Sequence, residues 1–114
     1  MTPAALDAHQ IEARQAEKLR LLLAAVLETN PFYSAKLRAA GVLASPASIE
    51  EFKRRVPFTF KPELVDDQTR NPPYGSNLTY PVSRYTRFNQ TSGTTGKPMR
   101  WLDTPESWSW MLDC

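Results

Sequence analysis

The sequence has one cysteine, Cys114, so an internal disulfide framework is excluded. It has one histidine, His9, which falls on a polar part of the first predicted helix and reads as a surface residue. It has no long apolar run: the longest, Leu21 to Leu27, is far short of the roughly 20 residues that span a bilayer. The start, Met-Thr-Pro-Ala-Ala with Asp7 and His9 close behind, lacks the basic and then apolar order of a signal peptide. These absences lead us to expect a cytoplasmic protein that does not enter membranes. No internal repeat or low-complexity tract is visible. A further absence bears on function: no Asp or Glu occurs between Asp67 and Asp103. That stretch holds Arg70, Arg84, Arg87, Lys97 and Arg100, so it is locally cationic in a chain of net charge +2. A cationic segment suits an anionic ligand, although chance clustering on a solvated face gives the same count.

Ten prolines divide the chain into short elements. A first helix is predicted from about Ala4 to Glu28, with Ile11, Leu19, Leu22, Leu23 and Val26 largely on one face. Asn30 is placed to cap a second helix with Pro31 at its first position, and Gly41 suits a left-handed stop. Ser48-Ile-Glu-Glu51 reads as a capping box opening a third helix that carries Phe52 and ends before Pro57. Thr59 is the expected cap of a fourth, with Leu64 and Val65 inside. Asn71-Pro-Pro-Tyr-Gly75 reads as a turn.

The composition then changes. Residues 78–90 are rich in Thr, Tyr, Val and Phe and predict strand, as do Met99 to Leu102. Between them lies Thr91-Ser92-Gly93-Thr94-Thr95-Gly96-Lys97. Two glycines three apart let the backbone turn sharply. Successive N–H groups in such a turn make an anion-binding concavity. Four hydroxyls add donors, and Lys97 adds a mobile positive charge. The competing reading is a flexible Gly/Ser/Thr linker. A Walker A loop is excluded, because it requires Gly at 91 and Ser or Thr at 98, where Thr91 and Pro98 stand. Pro98 also argues against direct entry into a helix, which leaves a strand–loop–strand phosphate grip. Asp103 or Thr104 is expected to cap a last helix through Trp108 and Trp110, and the end at Cys114 reads as a truncation.

TSGTTGKP resembles the phosphate-binding signature of the adenylate-forming enzymes. Asn30-Pro-Phe-Tyr33, Ala39-Ala-Gly-Val42, Phe52 to Thr59 and Lys61-Pro-Glu-Leu64 resemble the lead-in of the phenylacetate–CoA ligase branch, over roughly residues 19–113. Met99-Arg100-Trp101 and the Gln90-Thr91 pair depart from that branch's usual residues, so the acid substrate stays open. The resemblance implies an α/β fold, with a helical N-terminal lead-in over residues 1–75 and the incomplete start of an AMP-binding domain over 76–114. It implies an ATP-dependent acid–CoA ligase that forms an acyl-adenylate and then a thioester. ATP, Mg²⁺ and coenzyme A follow as cofactors and co-substrate, and a small carboxylic acid, aryl acids included, as the partner. Residues 91–97 would grip the β- and γ-phosphates, with Lys97 a phosphate ligand and no catalytic or metal residue within the chain. Two alternatives stay open: a branch passing the acyl group to a protein thiol, and a non-catalytic anion-binding fragment. Nucleic-acid binding has no recognised motif behind it.

Overall fold

The computed structural model describes residues 5–91 and 96–114. Among the described residues, five α-helices and a two-stranded sheet follow in the order α1 (Ala8–Thr29), α2 (Pro31–Ala39), α3 (Ile49–Arg55), α4 (Lys61–Arg70), β1 (Arg87–Gln90), β2 (Arg100–Asp103) and α5 (Pro105–Leu112). The α/β class expected from the sequence is observed, as a helical segment with a small sheet.

Helix α1 begins at Ala8, with Asp7 as its cap: the carboxylate accepts from Gln10 N–H and the Gln10 side chain answers at Asp7 N–H. The expected apolar face is only partly buried. Leu23, Val26 and Leu27 enter the core with Leu37 and Val42, while Ile11 and Leu22 stay exposed. Tyr33, Phe52 and Val56 pack against that cluster. Asn30 and Pro31 open α2 as predicted, and the chain leaves it through Gly41 at φ 80°.

Ser48 caps α3 through Glu51 N–H, but the box does not close on itself. The Glu51 carboxylate accepts from Ala47 N–H instead, one residue upstream. The cap of α4 is Phe60, not Thr59. A phenyl ring accepts no such bond, so the carboxylate of Glu63 supplies the stop by accepting from Phe60 N–H at 2.7 Å. The same carboxylate pairs with Lys36, tying α4 to α2.

Residues 78–86 do not form the predicted strand. Tyr85 Oη accepts from the N–H groups of Thr79 and Tyr80, Pro81 has none, and Val82–Arg84 winds into a single 3₁₀ turn. Those backbone donors are satisfied within the loop, so no ladder is needed there. Strand pairing starts at Arg87, antiparallel to β2, with Phe88 opposite Leu102 and Gln90 opposite Arg100. Thr104 caps α5 and Pro105 occupies its first position, in line with the sequence.

Candidate functional site

The hairpin connection between β1 and β2 is the segment singled out in the sequence. Its neck is closed by Thr91 and Met99: Thr91 N–H donates to the Met99 carbonyl at 2.9 Å, and Met99 N–H donates to Thr91 Oγ1 at 2.8 Å. A hydroxyl thus takes the place that a main-chain carbonyl would hold in a regular ladder. Met99 is buried, which fixes the neck to the protein interior. The strand–loop–strand setting inferred from Pro98 is therefore present.

Of the seven candidate residues, Thr91, Gly96 and Lys97 lie within the described structure, and Ser92, Gly93, Thr94 and Thr95 lie outside it. Gly96 has φ 152°, a conformation that residues with a Cβ rarely adopt, and a Cβ there would meet no atom of the described residues within 4 Å beyond its chain neighbours. Lys97 is exposed and borders a cleft of about 280 Å³. The other walls come from Val65, Gln68 and Thr69 of α4, the Pro72-Pro73 turn, and Pro98 with Arg100.

The cations of the acid-free stretch are not equivalent. Arg70 pairs with Asp66. Arg84 lies over the Tyr80 ring, and Arg87 stacks on Trp108 with its guanidinium carbon 3.6 Å from the ring centroid. Arg100 Nη1 donates to the Pro73 carbonyl at 2.9 Å. Lys97 makes no ion pair among the described residues. The two acidic residues that flank the stretch are also engaged. Asp67 accepts from Ser76 N–H, Ser76 Oγ and Asn71 Nδ2, and Asp103 accepts from Ser107 Oγ. This arrangement suits an anion at Lys97. Among the described residues no three His, Cys, Asp or Glu side chains cluster.

Sequence reasoning missed Gln68. Its side-chain amide donates to the Arg100 carbonyl at 2.8 Å and accepts from Arg100 N–H at 3.0 Å. Its position beside the acid-free stretch carried no signal, because the contact joins residues 32 apart.

Among solved structures the chain is similar to a 2-hydroxyisobutyryl-CoA ligase in complex with 2-HIB-AMP and CoA. In the thioesterification state the TM-score is 0.85 at 29% identity, covering 95% of this chain and 23% of that one. In an open conformation the TM-score is 0.84 at 27% identity, covering 95% and 25%. The fold is that of a segment of an acid–CoA ligase. Among curated proteins the relatives are phenylacetate-coenzyme A ligases. That of Thermus thermophilus is 38% identical over 93 residues, 82% of this chain and 20% of its own length. That of Escherichia coli is 34% identical over 91 residues, 78% and 19%. The chain is a relative of these ligases and spans about a fifth of their length. No family model matches the chain.

Proposed function

We propose that the chain is the N-terminal part of an ATP-dependent carboxylic acid–CoA ligase of the phenylacetate–CoA ligase type, with its division near residue 75. In the complete enzyme the acid's carboxylate attacks the α-phosphorus of ATP, forming the acyl-adenylate and releasing pyrophosphate. The sulfur of CoA then attacks the acyl carbon, forming the thioester and releasing AMP. Residues 91–97 hold the β- and γ-phosphates, with Lys97 placed against the leaving pyrophosphate. Mg²⁺ would come with ATP and help neutralise its phosphates. The cytoplasm is the proposed compartment, and no helix among the described residues is long and apolar enough to cross a membrane. A small carboxylic acid, aryl acids included, is the proposed substrate.

One observation carries this reading: in a stretch whose other cations are engaged, Lys97 is exposed beside the hairpin connection. Similarity to the CoA ligases supports it from outside the chain. The test is Lys97→Ala in the full-length ligase, assayed by pyrophosphate release. A hydrogen bond to a charged group contributes about 1.5–3 kcal/mol, so kcat/KM for ATP should fall about 10- to 100-fold, with KM for the acid nearly unchanged. Normal ATP kinetics would overturn the reading.

A further inference from the structure

We infer that Gln68 is a positioning residue for the phosphate-binding hairpin, holding the loop's outgoing arm in register from helix α4. The inference rests on the proposed nucleotide role of residues 91–97. In an antiparallel pair, successive residues turn their N–H and C=O alternately toward the partner strand and away from it. At Met99 both groups face β1, through Thr91. At Arg100 both face away, and both meet Gln68. A primary amide carries one carbonyl and one N–H pair on a single plane, so it reproduces the donor–acceptor pattern of a peptide group. Gln68 thereby occupies the place of a neighbouring strand for one residue.

That residue stands three positions after Lys97, with only Pro98 and Met99 between. Proline has a fixed φ and no N–H, and Met99 is buried. The arm from Lys97 to Arg100 is short and stiff, and its outer anchor is the amide on α4. The same part of α4 walls the cleft that Lys97 borders. A second tie, from the Arg100 guanidinium to the Pro73 carbonyl, holds the turn after α4 to the same arm. Asparagine would lack the reach of one methylene. Glutamate would accept from Arg100 N–H but, when ionised, could not donate to its carbonyl.

The experiment is steady-state kinetics of Gln68→Leu, Gln68→Glu and Lys97→Ala in the full-length ligase, with thermal unfolding and active-site titration in parallel. Gln68→Leu is expected to raise KM for ATP about tenfold per titrated site while KM for the acid stays within twofold. Gln68→Glu should raise it as well, through the lost donor and the added negative charge. A merely structural role would lower the unfolding temperature and the titrated fraction but leave KM for ATP unchanged in the active fraction. That result would overturn the inference. If Gln68→Leu fails to fold, an unchanged KM for ATP in Gln68→Glu overturns it equally. Lys97→Ala separates the two levels. If it impairs ATP use while both Gln68 variants do not, only the positioning role falls. If it has no effect, the nucleotide reading falls, and this inference with it.

Discussion

At the scale of single residues, two glycines use positive φ for different reasons. Gly41, at φ 80°, ends α2 with none of the described residues beyond its chain neighbours within 4 Å of where a Cβ would stand. Gly75, at φ 78°, closes the turn after α4, where a Cβ would collide with the Asp67 carboxylate and come within 2.9 Å of Gln68 Cγ. Gly41→Ala carries only the left-handed backbone penalty, about 1–2 kcal/mol. Gly75→Ala should cost more, because the carboxylate holding Ser76 must move and the amide on Arg100 is pressed. Urea unfolding of the two variants checks the order; equal losses would show that the crowding at Gly75 relaxes freely. Gly41 was legible as a helix stop because its signal is local. Gly75 was legible only as a turn residue, since Asp67 approaches it through the tertiary fold. The same division holds elsewhere. Asn30 was recognised as a cap, but its bonds from Nδ2 to Asn77 and Thr79 join residues 47 and 49 apart in sequence.

At the scale of elements, short polar signals located the starts of α2 to α5 to within a residue or so, whereas α1 begins at Ala8, behind its Asp7 cap, and not at about Ala4. Phe60 displaced Thr59 as the cap of α4 because Glu63 reaches back from the third position and also meets Lys36 on α2. The bond from Lys36, then that from Phe60 N–H, holds the Glu63 carboxyl below its ordinary range. The N–H of Ala47 and then Arg55 do the same for Glu51 at the start of α3. A lowered pKa means that the folded chain binds the proton more weakly than the unfolded one. Stability from these carboxylates is therefore complete above the ordinary carboxylate range and lost as pH falls through the lowered values. We expect the unfolding midpoint to drop across that acidic window, and Glu63→Gln to flatten the drop. An unchanged slope in Glu63→Gln would mean that the tie between α2 and α4 contributes little. The strand predicted over 78–86 failed for a related reason. Thr, Tyr and Val favour a pleated surface only where a neighbour provides the ladder, and here a tyrosine hydroxyl satisfied the donors first.

At the scale of the whole molecule, much apolar surface remains uncovered. Phe58 is 84% exposed, Leu112 68% and Trp110 62%. The radius of gyration, 16.2 Å, exceeds the value of about 13 Å for a compact chain near this length. Trp108 and Trp110 meet the cations Arg87 and Lys18. With only about a fifth of its relatives' length, the isolated 114-residue chain is expected to release no acid-dependent pyrophosphate from ATP and Mg²⁺, and to self-associate as its concentration rises. Acid-dependent release above background, or a monomer by sedimentation at all concentrations, would contradict the respective expectation. The phosphate-loop candidate was legible because its residues are contiguous; its support from α4 was not, because that support crosses the fold. Gln68 also has a consequence for that self-association. Unpaired strand edges are templates on which another chain can build a fibril-like ladder. By seating its amide on both polar groups of Arg100, Gln68 interrupts the outer edge of β2 near its start, so a second copy could zip along that edge only by first evicting the glutamine.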